Sequence, residues 1–183
     1  MSAAIDVTVA APVHPRDGRP APRWAVRIAH LIPLLVLPSG VWRLCLALGL
    51  SMGLVENGTP VRMHGWVETA YVIGLSVVSE AVALLSLGLV RPWGERVPRG
   101  VPVLGGRRVP PLAAVAAATA GSVALILIWT FATVNFLTPG RNSLEFGSGW
   151  AGPLLMVCYL PLLSWGPLLL VITWAYRRRR CRD

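Results

Sequence analysis

The sequence predicts an all-α membrane protein, a bundle of four transmembrane helices with both termini on the cytoplasmic side. Three observations lead there. Hydrophobic residues make up 55% of the 183-residue chain, and charged ones only 14%, gathered in short clusters; this is the composition of a chain surrounded by lipid. Four stretches stay apolar throughout, about 28–50, 69–90, 112–137 and 153–176, and roughly 20 helical residues cross about 30 Å of hydrocarbon. The 17 basic residues, all arginine, alternate from loop to loop. Arg16, Arg19, Arg23 and Arg27 precede the first span. Arg91, Arg96, Arg99, Arg107 and Arg108 separate the second from the third, and Arg177, Arg178, Arg179, Arg180 and Arg182 follow the fourth. The other two loops hold only Arg62 and Arg141, and Arg43 lies within a span. The positive-inside rule then puts both termini and the middle loop in the cytoplasm.

Residues 1–23 are rich in Ala and Pro, contain Asp6 and Asp17, and show neither a basic start nor a prompt small-residue cleavage site. They read as a disordered cytosolic leader and not as a secretory signal. Residues 24–176 form one transmembrane domain, and 177–183 a basic cytosolic tail. Trp24, Trp66, Trp93, Trp150 and Trp174 fall at the span ends, where an indole buries its face and keeps its N–H wet. Trp42, Trp129 and Trp165 lie deeper.

The first and fourth spans carry Pro33 and Pro38, and Pro161 and Pro167, each with a glycine close by in "LPSGVWR" and "LSWGP". Proline next to glycine favours a kink or an opened hydrogen-bond ladder, which survives at membrane depth only where protein or a wet cavity satisfies it. Broken helices of this kind line transporter sites, although proline is also simply frequent in membrane helices. In the third span Ala113, Ala117 and Gly121 recur every four residues, a groove for close backbone approach. The Glu80 face of the second span, with Ser76, Ala83 and Leu87, is its expected partner. Asn135 is expected to bond between helices.

The loop after the first span, residues 51–68, is turn-rich around Asn57-Gly58, and the loop 138–150 is rich in Gly, Ser and Asn. "NGT" at Asn57 matches a glycosylation acceptor, but Pro60 follows and the arginine-only composition suggests a bacterial source. Prolines forbid a long helix in the middle loop "RPWGERVPRGVPVLGGRRVP", and Gly105-Gly106 permits a tight turn. The expected result is a stiff hairpin lying on anionic headgroups. Arg96, Arg99, Arg107 and Arg108, together with Arg177, Arg178, Arg179 and Arg180 of the tail, are the candidate headgroup contacts, at about 1 kcal/mol each. Gly105-Gly106 beside two arginines offers a phosphate cup without the Lys and Ser/Thr of a nucleotide loop. Topology and lipid thus account for the net charge of +9, and no nucleic-acid partner is expected.

"VPRGVPVLGGRRVP" in this loop and "PSGVWRLCLALGL" in the first span resemble short integral membrane proteins of high-GC Gram-positive bacteria whose activity is uncharacterised. The two stretches cover roughly a seventh of the chain. The resemblance implies the topology and the source, and carries no activity, cofactor or site residue with it.

The chemistry that is present centres on Glu80. The 11 Leu, Ile and Val residues of 71–90, at about −0.3 to −0.6 kcal/mol each on the insertion scale, outweigh one central charge at about +3 kcal/mol. The segment therefore inserts in spite of its acid. Arg43 is the basic residue within a span. Counted from the cytosolic ends at about 1.5 Å per residue, it lies near 22 Å and Glu80 near 16 Å, an offset that an arginine side chain spans. The first reading is an intramembrane ion pair; the alternative is that Arg43 snorkels outward.

The role that follows is a non-enzymatic accessory or interaction protein, partnered by a second copy or by another membrane protein, with Glu80 and Arg43 as a specificity pair. The alternative is a small proton-coupled transporter or exporter in which Glu80 takes up a proton and Trp42, Trp129 or Trp165 faces a flat or cationic substrate. The third reading is an acid-catalysed lipid cyclase. Neither HExxH nor zinc-like Cys/His spacing occurs; His14, His30 and His64 all fall away from Glu80, and Ser148 has no base placed to activate it. No enzyme activity, cofactor or metal is expected. Cys45, Cys158 and Cys181 are read as free thiols, without a disulfide.

Overall fold

Proline marks the start of two of the four long helices. In the computed structural model, which describes residues 21–63, 65–91, 110–138, 140–141 and 144–180, Pro22 is the extended residue before α1 (Arg23–Ala47) and Pro110 the one before α3 (Pro111–Leu137). The first turn of a helix has no use for the N–H that proline lacks. Helix α2 (Trp66–Leu85) begins after Gly65, has Glu68 in its first turn, and tightens into a 3₁₀ turn over Ser86–Leu89. The fourth span is composite: α4 (Ala151–Tyr159), a 3₁₀ stretch Leu160–Ser164, then α5 (Trp165–Arg180). Four helical spans are thus long and apolar enough to cross a membrane, Arg23–Ala47, Trp66–Leu89, Pro111–Leu137 and Ala151–Arg180. The expected leader over residues 1–20, the middle-loop residues Trp93, Arg96, Arg99, Gly105, Gly106, Arg107 and Arg108, and Cys181 and Arg182 lie outside the described residues.

The two proline-bearing spans behave differently. Helix α1 runs through Pro33 and Pro38 without interruption. Proline at 33 frees the carbonyl of Ala29, four residues back, and the Ser86 hydroxyl lies 3.4 Å from that oxygen while donating to Ala83 O at 2.6 Å. A neighbouring helix thus covers the gap. In the fourth span the change of helix type starts at Leu160, beside Pro161, and α-geometry resumes at Trp165.

Helix α1 packs on α2 and on the whole fourth span, while α3 packs on α5. The order across the bundle is α2, α1, α4/α5, α3, and packed neighbours run antiparallel. The two central elements come from opposite ends of the chain. Burial follows from this: α1 hides Ala25, Ala29, Ile32, Val36, Trp42 and Leu46 along one stripe, whereas α3 hides only Ser122. Ala29, Ile32, Val36, Ala83, Trp165 and Ile172 belong to the core nearer the arginine-rich end; Trp42, Leu46, Leu54 and Leu155 form a second core at the other end.

This order corrects one expectation. The Glu80 face of α2 does not meet the Ala113, Ala117, Gly121 groove of α3, because α1 and α5 lie between them. A Cβ built on Gly121 meets nothing within 4 Å. The close approach of α3 is instead to α5, where a Cβ on Gly166 would sit 2.8 Å from Ser122 O and 2.6 Å from Ile126 Cγ1. Asn135 likewise turns back on its own helix, its Nδ2 donating to Phe131 O at 2.9 Å.

At the end away from the tail arginines, the two short loops combine into a three-stranded sheet, β1 (Leu54–Glu56), β2 (Thr59–Pro60) and β3 (Glu145–Phe146), in the order β2-β1-β3. Asn57 and Gly58 both have positive φ, 51° and 76°, as the two-residue turn of a tight hairpin requires. Strand β1 also pairs antiparallel with β3 from the other loop, Leu54 opposite Phe146. Neither loop would fold alone; each supplies the edge that the other lacks.

Candidate functional site

Two features lie side by side in the sheet-side half of the bundle: a polar cluster on the α1–α2 seam, in which Arg43 and Ser76 are buried and Glu80 half-buried, and an apolar cleft between α3 and α4. Antiparallel packing sets the cluster's register. Gly40 comes opposite Glu80, and Arg43, about one turn further along α1, comes opposite Ser76, about one turn before Glu80 on α2. Gly40 lies beside the carboxylate, since a Cβ there would make ordinary contact with Glu80 Oε1 at 3.8 Å. Arg43 is 7% exposed, and its Nε donates to Ser76 Oγ at 3.0 Å. The Ser76 hydroxyl in turn donates to Val72 O at 2.9 Å.

The two sequence-predicted site residues, Glu80 and Arg43, are therefore brought to one seam, with the guanidinium within electrostatic range of the carboxylate. The direct contact of Arg43 is with Ser76. Arg43 Nη2 and Glu80 Oε1 are both buried without a hydrogen-bond partner. Arg43 also faces the fourth span, with its Cζ 6.0 Å from the ring centroid of Tyr159. It does not snorkel to the end of the helix; it is held at a junction of three elements.

Tyr159 joins the cluster to the cleft. Its ring meets Trp42 edge-on at 5.6 Å and Trp129 at a tilt at 6.0 Å. These aromatics wall a cavity of about 400 Å³, within the range of small-molecule pockets. One side is α3, through Trp129, Ala132, Thr133 and Phe136, at the spacing of a single helical face; the other is α4, through Leu155 and Tyr159; the floor is Trp42 and Leu46. Leu54 and Leu144 close it at the sheet end. It opens where the fourth span changes helix type. Helix α3 lies close to α5 at Gly166, whereas beyond Leu160–Ser164 it makes few contacts with α4.

Two of the three deep tryptophans are thus explained as walls of this cleft, and Trp165, 3% exposed, as core between α5 and α1. Trp24, Trp66, Trp150 and Trp174 are exposed at the span ends, as expected. Sequence reasoning missed the cleft. The deep tryptophans Trp42 and Trp129 were singled out as aromatic faces for a substrate, but the 129, 132, 133, 136 spacing on its own reads as ordinary packing.

Among the described arginines of the tail, Arg177 and Arg178 are exposed and Arg179 and Arg180 half-buried. Arg178 stacks on Trp174 at 3.9 Å. Arg179 turns inward, its Nη2 donating to Leu89 O at 2.9 Å, which ties α5 to the 3₁₀ end of the second span. Nearby, His30 Nδ1 lies 2.7 Å from Val26 O and Arg91 Nη2 3.2 Å from His30 Nε2. Cys45 and Cys158 are free and partly buried. Among the described residues no group of three His, Cys, Asp or Glu is placed to hold a metal.

Compared with known proteins, the chain matches no protein-family model, no curated protein and no solved structure.

Proposed function

We propose that the chain crosses a bacterial cell membrane four times, with both termini and the arginine-rich loop in the cytoplasm, and works there as a non-enzymatic accessory or interaction protein. Charge supports the orientation: the end that carries Arg91 and the tail arginines faces anionic cytoplasmic headgroups, and the small sheet lies outside. The bacterial source rests on the family resemblance of the loop and first span.

One observation carries the choice among functions. Glu80 faces Gly40 on the α1–α2 seam and is not among the residues lining the cleft. A carboxyl that ferries protons with a substrate, or protonates an alkene in a cyclase, must front the space that the substrate occupies. Here the acid, its neighbouring arginine and a serine lie between helices, where polar groups set partner and register. The same seam, and the broad uncovered surface of α3, suit a protein that acts through contacts with a second copy or another membrane protein.

Labelling by a hydrophobic carbodiimide, which attacks a protonated carboxyl in apolar surroundings, tests this reading with the protein in lipid. The expected result is protection of Glu80 in the wild type and modification in Arg43→Ala. Selective modification of wild-type Glu80 near neutral pH would reject the structural role and favour transport or acid catalysis.

A further inference from the structure

The cleft between α3 and α4 has its own chemistry, independent of Glu80. Its lining residues carry no formal charge. The lining is mostly aliphatic and aromatic, which suits a largely hydrocarbon occupant, although the indole N–H groups of Trp42 and Trp129 are buried without a hydrogen-bond partner. Size restricts it further. From Trp129 to Phe136 the cleft is about 10 Å long, and its volume of about 400 Å³ is that of a small-molecule pocket. A single chain of methylenes fits within it.

Access is from the side. Leu144 and Leu160 both line the cleft and are 43% and 52% exposed, so it opens at the surface of the bundle and a chain enters without crossing a polar surface. At the sheet end stands a positive charge. Arg141 is exposed and follows α3 directly, in a turn closed by its N–H to Thr138 O at 3.2 Å. It lies in the chain between Phe136 and Leu144, both of which line the cleft. Trp150, 57% exposed at the same end, suits the level of the headgroups.

We propose that the cleft is a binding site for one anionic phospholipid, with an acyl chain between α3 and α4 and the phosphate on Arg141. The proposal rests on the reading of the chain as membrane-spanning, and adds to it a defined lipid of the outer half of the bilayer. Glu145, exposed four residues beyond Arg141, tempers the charge, so the headgroup preference is modest. One basic residue near a membrane surface contributes about 1 kcal/mol, roughly fivefold.

The test is native mass spectrometry of the full chain released from bilayers of equal phosphatidylglycerol and phosphatidylcholine. Wild type is expected to keep one lipid, with phosphatidylglycerol favoured about fivefold. Ala132→Phe fills the cleft and is expected to lose that lipid with unchanged helical content; Arg141→Gln is expected to keep a lipid and lose the preference. Equal retention by Ala132→Phe would mean annular lipid only and would overturn the site, and an intact preference in Arg141→Gln would overturn the headgroup assignment. Should Ala132→Phe fail to fold, phosphatidylglycerol brominated in mid-chain decides. It is expected to quench wild-type fluorescence more than that of Trp129→Phe, and equal quenching overturns the proposal. Recovery of the wild-type chain in the soluble fraction of cells would refute the membrane reading itself, and is told apart from loss of lipid alone.

Discussion

Replacing Gly166 by alanine should loosen the third span from the rest of the protein. The added Cβ would stand 2.8 Å from Ser122 O, 3.0 Å from Ile126 N and 2.6 Å from Ile126 Cγ1, where ordinary contact begins at 3.4 Å. Ile126 Cγ1 moves away by rotation of its side chain, but the other two atoms are backbone. Helix α3 must therefore retreat by about 0.5 Å along its one tight seam. Overpacking of this kind costs about 1–3 kcal/mol, and the helix-forming advantage of alanine over glycine returns about 0.5–1 kcal/mol. The net loss expected is about 0–2.5 kcal/mol, centred on about 1 kcal/mol, large for a helix with only Ser122 buried. Two glycines serve as controls: Gly121, with nothing within 4 Å, and Gly40, whose Cβ would make ordinary contact at 3.8 Å. Both should accept alanine within about 0.5 kcal/mol. Reversible unfolding of the three variants in mixed micelles measures the difference. Gly166→Ala no more affected than Gly121→Ala would refute the α3–α5 packing.

The polar seam gives graded losses by the same assay. Ser76→Ala removes the acceptor of Arg43 Nε and should cost about 0.6 kcal/mol, the average for hydrogen bonds between membrane helices, while Arg43→Ala should cost about 1–3 kcal/mol by leaving Glu80 in the seam without its cation. The double change Arg43→Met with Glu80→Gln should recover most of that loss; a double variant no better than Arg43→Ala would show that the two residues are uncoupled. At the arginine-rich end, Arg179→Ala frees the carbonyl of Leu89 and should raise amide hydrogen exchange over residues 86–91 at least several-fold, whereas unchanged exchange would mean that the contact restrains nothing. Cys45 of α1 and Cys158 of α4 lie close enough to influence each other electrostatically. In a Cys181→Ser background a short bismaleimide should therefore join them within one chain, as read by mass spectrometry of the digest, and absence of that link would contradict the α1–α4 packing.

The four helices were legible because the cost of exposing backbone to lipid leaves a long apolar run little choice but to be helical. Their neighbours were not. Ala113, Ala117 and Gly121 spell a groove that a helix could use, but several helices compete for it, and the seam formed instead around Gly166, a glycine first read as part of a proline break. Prolines alone likewise did not distinguish the first span from the fourth. What separates them is tertiary: Ser86 approaches the carbonyl freed by Pro33, whereas the Pro161 segment adopts 3₁₀ geometry. Glu80 and Arg43 were recognisable from hydropathy alone as the residues out of place, and the antiparallel neighbours α1 and α2 bring them to one seam. Ser76 as the hydrogen-bond partner of Arg43 was beyond that reasoning, since a depth count has no azimuth. The sheet went unread because three-residue strands carry no periodic signal, although Asn57-Gly58 marked its turn.

The order of the helices across the bundle bears on how the protein is made. The ribosome delivers α3 before α5, yet α5 is the surface on which α3 packs. In the membrane arrangement proposed above, the third span has no docking partner until the last arrives, and it stays in the bilayer on its own hydropathy. Its mean hydropathy of 2.1 and the small share of it that is buried suit a helix that is stable while it waits. The fourth span then completes two contacts at once, with α1 on one side and α3 on the other. Pairing of Leu54 with Phe146 joins loops that are far apart in the chain, so closure of the sheet marks the end of assembly and not its beginning.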